Sequence, residues 1–142
     1  MTLTRERKIE LIAATPLFDG IDADQLGGIA DRAVEVVTPA GGVILRQGEI
    51  GTGFFVVVSG AVRVVRDGET IARLGPGEFF GELSVLDRLP RNAQVVADEP
   101  TTCVALASWD LEAVITEQPR VALAMLRVLA GRLRSLTDAH RH

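Results

Sequence analysis

Between Val34 and Ala107 the chain is a succession of short β-branched and aromatic runs, each closed by a turn rich in Gly, Pro or Asp. Val34 and Val36, then Thr38-Pro39-Ala40-Gly41-Gly42, then Val43 and Leu45 read as strand, turn, strand. Gln47-Gly48-Glu49 and Gly51-Thr52-Gly53 mark a loop before Phe54–Ser59, a continuous apolar run expected to be buried on both faces. Ala61–Arg66 and Glu69–Leu74 flank Asp67-Gly68, a strong two-residue hairpin signal. Ala93–Ala97 and Thr101–Ala107 lie on either side of Asp98-Glu99-Pro100. Short strands at this spacing predict a sandwich or jelly-roll barrel, and no βαβ alternation points to a parallel nucleotide-binding sheet.

Helices flank the strands. Leu3 to Ala14 has helical propensity and is broken by Pro16-Leu17-Phe18-Asp19-Gly20. Asp22 is a suitable N-cap, with Gln25 as its capping-box partner, for a helix carrying Leu26, Ile29, Ala30 and Ala33. Ser108 is expected to cap a helix through Glu117, and Pro119 suits the first turn of another reaching about Asp138. Ala122, Leu126, Leu129, Leu133 and Leu136 make a heptad-like seam along that last helix, with Arg120, Arg127, Arg132 and Arg134 mainly off it. A helix packed on its own barrel, a dimer seam and a lid over ligand all fit this pattern.

At 142 residues the chain suits a single domain, expected to span 1–142 with helices over 1–32, the barrel over 33–107 and C-terminal helices over 108–138. A net charge of −4 argues against nucleic-acid binding through the whole surface, so an anionic ligand would need a local positive pocket. The charged N-terminus lacks a signal-like apolar core and the longest apolar run is too short to span a bilayer, so a soluble, cytoplasmic protein is expected. Cys103 is the only cysteine and reads as a small buried hydrophobe.

Catalysis finds little support. His140 and His142, the only histidines, sit at the end of the chain, where fraying is expected. Ser59 and Ser84 are not in nucleophile elbows, and no cluster of His and carboxylates suits a metal. Gly75, Gly77 and Gly81 miss the dinucleotide spacing, and Gly75 and Gly77 read as turn residues.

Gly75–Val95 carries the binding chemistry. If Gly81 opens a short helix, the amides of Gly81, Glu82, Leu83 and Ser84 face an anion at the positive end of the dipole. Glu82 would repel a phosphate and so needs another partner, for which a sugar hydroxyl is the natural donor. Arg91 offers a planar two-pronged cation. Each has a plainer reading: Glu82 as a helix-start carboxylate, Arg91 as a solvated loop arginine.

Together, Phe80-Gly81-Glu82-Leu83-Ser84-Val85-Leu86 and Leu89-Pro90-Arg91-Asn92-Ala93-Gln94-Val95 closely resemble the phosphate-binding cassette of cyclic nucleotide-binding domains. Leu45-Arg46-Gln47-Gly48-Glu49, Phe54–Val62 and Gly75–Phe80 resemble the strands and turn that precede it. The resemblance implies a mainly β fold with flanking helices: an eight-stranded jelly-roll β-barrel with N-terminal helices and a C-terminal helical segment. It implies a cyclic-nucleotide sensor without catalytic activity or cofactor. Glu82 would take the ribose 2′-hydroxyl, Arg91 the exocyclic phosphate oxygens, and backbone groups of Gly81, Leu83 and Ala93 the rest of the cradle. Asn92 stands where the family usually has Ala, Ser or Thr, leaving cyclic AMP as the expected ligand and cyclic GMP as the alternative. Movement of the C-terminal helix is the expected output and a homodimer through it an expected partnership. A ligand-independent dimerisation or interaction module is the competing reading. Activator-type relatives follow the long helix with a DNA-reading motif; with the sequence ending at His142, direct nucleic-acid binding is not expected.

Overall fold

In a computed structural model, which describes residues 3–51 and 53–139, the chain folds as two stacked antiparallel sheets with helices against one of them. Leu83, Ser84, Val85, Asp138 and Ala139 are described for backbone alone. The N-terminal part is α1 (Arg5–Ala13), a 3₁₀ turn (Pro16–Phe18) and α2 (Ala23–Arg32). Eight strands follow among the described residues: β1 (Val34–Thr38), β2 (Val43–Leu45), β3 (Gly53–Ser59), β4 (Val62–Arg66), β5 (Glu69–Leu74), β6 (Phe79–Phe80), β7 (Gln94–Ala97) and β8 (Thr101–Ala107). A short helix, α3 (Glu82–Asp87), interrupts them between β6 and β7, and α4 (Ser108–Glu117) and α5 (Pro119–Ala139) close the chain.

The first sheet has the order β1-β8-β3-β6 and the second β2-β7-β4-β5. The eight expected strands form, as two sheets and not a closed barrel. The edge strand β5 is exposed at every position from Glu69 to Arg73, as expected of an edge that no further strand covers. Asp67 and Gly68, both at positive φ, form the expected turn between β4 and β5.

The layering explains why Phe54–Ser59 does not alternate. Phe54 and Val56 face the helices in a cluster with Ile12, Phe18, Ile29, Leu111, Val121 and Met125. Val57 and Phe55 face the second sheet, with Val62, Leu74, Phe80, Val95 and Cys103. The first sheet is therefore the middle of three layers, and its central strands must be apolar on both sides. Cys103 is fully buried as expected, and burial pushes its thiol pKa up to about 12.

Two caps differ from expectation. Asp22 stands at the N-cap of α2 but makes no side-chain cap hydrogen bond. Ser108 is already the first helical residue of α4, because β8 runs directly into that helix and leaves Ala107 at the cap. Thr4, not singled out from the sequence, does cap α1, its hydroxyl accepting from the Arg7 amide.

Candidate functional site

Gly81 is the pivot between β6 and α3. Its φ is +88°, and a Cβ there would come within 2.7 Å of the Gly53 carbonyl oxygen, so only glycine lets this backbone lie against the start of β3. Helix α3 begins at the next residue, leaving the first amides of Glu82–Asp87 without intrahelical partners.

Arg91 reaches the same place from the other side. Its backbone is clamped to the β2–β3 loop: its amide donates to the Glu49 carbonyl and its carbonyl accepts from the Gly48 amide, each at 2.8 Å. Its guanidinium is buried and donates to the carbonyls of Gly53 (Nη2, 3.1 Å) and Gly81 (Nη1, 3.5 Å). The solvated-loop reading is thereby overturned. Burial pulls the Arg91 pKa down, opposed by the nearby carboxylates of Glu82 and Glu49. A guanidinium remains charged even so. The result is a desolvated cation beside a glycine-opened helix start, with donors to spare, which favours an anion.

The guanidinium lies flat on Gly51, where any Cβ would overlap it. Gly51→Ala is expected to displace Arg91 and weaken anion binding by about tenfold, the effect of ~1.4 kcal/mol. Calorimetry would measure this, with thermal unfolding showing how far the fold is kept.

Glu82 is also buried, at 6% exposure, but it is not free. Its Oε1 accepts from Nη1 of Arg132 on α5 at 2.9 Å, while Nη2 of Arg132 donates to the Phe79 carbonyl at 2.7 Å. The Arg132 guanidinium sits 4.6 Å from the centroid of the Phe79 ring. Glu82 accepts from no other side chain among the described residues. Burial pushes its pKa up, against the opposing pull of its own amide and of Arg132.

The sign of the pH effect follows. Between the ordinary glutamate value of 4.5 and the raised one, the folded chain holds a proton that the unfolded chain releases. In that window falling pH favours the fold through Glu82, a contribution lost as pH rises through the raised pKa. Protonation also removes the charge that ties down Arg132. The protection factors of amides 129–136, corrected for the intrinsic slowing of exchange at lower pH, should therefore fall on acidification through this window, and Glu82→Gln should abolish that local pH step.

Gly81, Glu82 and Arg91 thus converge. Leu83 and Ser84 contribute helical backbone beside them, and their side chains lie outside the described residues, as do His140 and His142. Ala93 is buried at the entry to β7. Asn92 is exposed and makes no side-chain hydrogen bond among the described residues.

Arg132 was missed as a site residue, and Gly51 and Gly53 were read only as turn residues. The inward positions Val121, Met125 and Leu129 continue to 132 at helical spacing, and a buried Glu82 requires a partner, so a signal for Arg132 existed. The glycine density at 48–53 was the corresponding signal for a backbone surface on which Arg91 lies.

An interrupted jelly roll thus sets a buried arginine against a glycine-opened helix start. Among the described residues no three metal-ligating side chains cluster, and no helix is long and apolar enough to cross a membrane. The chain belongs to the cyclic nucleotide-binding domain family, whose pattern matches residues 35–118.

It is similar to the cyclic AMP receptor protein of Thermus thermophilus, at 38% identity over 84% of this chain and 58% of the relative. The crystal structure of Thermus thermophilus catabolite activator protein superposes with a TM-score of 0.79, covering 88% of this chain and 61% of the other. A cyclic nucleotide-gated potassium channel of Rhizobium etli is 34% identical over 82% of this chain and 32% of the channel. The chain thus spans less than two thirds of these relatives. By name these relatives are a receptor, an activator protein and a gated channel.

Proposed function

We propose that the chain is a non-catalytic cyclic-nucleotide sensor, with cyclic AMP as ligand, whose occupancy is coupled to the placement of α5. The observation that carries this reading is the buried Arg91 guanidinium held at Gly81 by two backbone carbonyls. In this reading Arg91 takes the exocyclic phosphate oxygens, and backbone groups of Gly81, Leu83, Ser84 and Ala93 complete the cradle around them. Glu82 takes the ribose 2′-hydroxyl through the oxygen that Arg132 does not use. Asn92 is exposed, and cyclic AMP is taken as the ligand because the chain is similar to a cyclic AMP receptor protein.

Coupling to α5 follows from shared chemistry. Arg132 and the ribose hydroxyl address the same carboxylate, so the ligand biases α5 to the extent that it favours one arrangement of that pair. Residues 1–142 act as one binding domain in this reading, with its helical part over 1–32, its strands and cassette over 33–107 and its output helices over 108–138. The reading also takes the protein as cytoplasmic, and assigns no nucleic-acid contact to these residues because the net charge is −4.

Thermal unfolding with cyclic AMP and cyclic GMP separately tests the proposal. A ligand at about a hundredfold its Kd adds ~2.7 kcal/mol of stability, visible as a rise of several degrees in Tm, and exchange over residues 121–136 should change with it. No shift from either nucleotide would overturn the sensor reading.

One observation bears on a second reading, a dimerisation module independent of ligand. Leu126, Leu133 and Leu136 are exposed along α5, whereas Leu129 packs against the chain's own core. A homodimer through this stripe is compatible with either reading; dimers that no cyclic nucleotide stabilises would favour the second. Leu126→Asp with Leu133→Asp should yield monomers by sedimentation without unfolding the chain, because both side chains are exposed.

A further inference from the structure

We propose that the outer side of the cassette is a docking surface for a partner protein, through a segment apolar at its centre and basic at its flanks. Four large apolar side chains stand out there: Ile50 (68% exposed), Trp109 (65%), Leu89 (59%) and Leu86 (52%). They come from three separate parts of the chain, and the structure brings those parts together. The backbone clamp of Arg91 to Gly48 and Glu49 holds the loop carrying Ile50 beside the segment carrying Leu89. The pairing of Gly53 with Ala107 brings the same loop to the start of α4, where Trp109 lies. The ion pair of Arg88 with Glu112 at 3.5 Å ties the end of α3 to α4 one helical turn beyond Trp109.

Single exposed apolar residues are ordinary, but a grouped set with an aromatic member is the composition of a binding hot spot. The rim decides the partner. Glu49, Asp87 and Glu112 are exposed and Asp110 is half-buried, against the exposed cations Arg46 and Arg88, the latter paired to Glu112, so the carboxylates outnumber the cations. An acidic rim around an apolar centre is complementary to a basic amphipathic segment and repels an anionic membrane. The surface draws on residues other than the leucine stripe of α5, and its assignment does not depend on cyclic-nucleotide binding.

Trp109 is the only tryptophan, so its fluorescence reports on this surface directly. The full chain would be titrated, without nucleotide, with a synthetic amphipathic helix of Leu and Lys and with its Leu and Glu counterpart. The Leu/Lys peptide should give a saturable blue shift and the Leu/Glu peptide none. Leu86→Ser with Leu89→Ser should weaken the response by about tenfold, the loss of a modest hot spot, with Tm unchanged. Ile50→Ser provides a second variant should the double one fold poorly, and Ile71→Ser, on the edge strand of the second sheet, should leave the titration unaltered. No shift with either peptide, equal shifts with both, or an undiminished response in the cassette variants would overturn the proposal. So would a blue shift produced by protein concentration alone, which would assign the surface to a second copy, or one produced by anionic vesicles.

Discussion

Arg91→Ala should weaken cyclic AMP binding by about 30-fold to several thousand-fold, the equivalent of ~2–5 kcal/mol for removing one partner of a desolvated charge contact. The expectation rests on burial. Arg91 is only 8% exposed, so its charge is poorly screened and its direction is fixed by the carbonyls of Gly53 and Gly81. Truncation also leaves those two acceptors without their donor, a fold effect that thermal unfolding would read separately from affinity. Arg91→Lys separates charge from geometry: it keeps a cation but loses the planar fork, and should fall between wild type and Ala. Equal affinity in all three would remove Arg91 from the site.

The second large effect falls on the fold beneath the site. Phe79→Ala should cost about 3–5 kcal/mol of stability, the usual range for truncating a buried aromatic. Phe79 is 2% exposed, its ring centroid lies 5.4 Å from that of Phe54, and its outer face carries the Arg132 guanidinium. The change therefore opens a cavity under the cassette and removes one of the contacts that hold α5 against it. Urea unfolding measures the first effect, and exchange over residues 129–136 measures the second. A loss below about 1 kcal/mol would mean that the cluster collapses around the gap and that Phe79 is not a keystone of this layer.

Much of this was legible in the chain because the signals are local. Asp67-Gly68 specifies its own hairpin, and Phe54–Ser59 announces a strand between two apolar layers. The pairing of Gly81 with Arg91 was legible as chemistry, since an anion cradle needs both a close backbone and a cation. The rest depends on contacts between residues far apart. Arg132 lies fifty positions from Glu82 in sequence, and its role emerges only when α5 packs across Phe79. Likewise, Gly51 looks like an ordinary turn glycine until Arg91 is laid upon it. Ser108 was misplaced for the opposite reason: its local signal is sound, but β8 continues straight into α4 and moves the helix start back by one residue. Whether eight strands close into a barrel is a property of the sheet edges, which strand propensity does not encode.

The measurement that bears most directly on the central claim is a calorimetric titration of the wild-type chain with cyclic AMP. The account predicts saturable binding at one site per chain, weakened when cyclic AMP is replaced by its 2′-deoxy analogue, which cannot donate to Glu82. The absence of saturable binding would contradict it, and equal affinity for the two compounds would contradict the role given to Glu82.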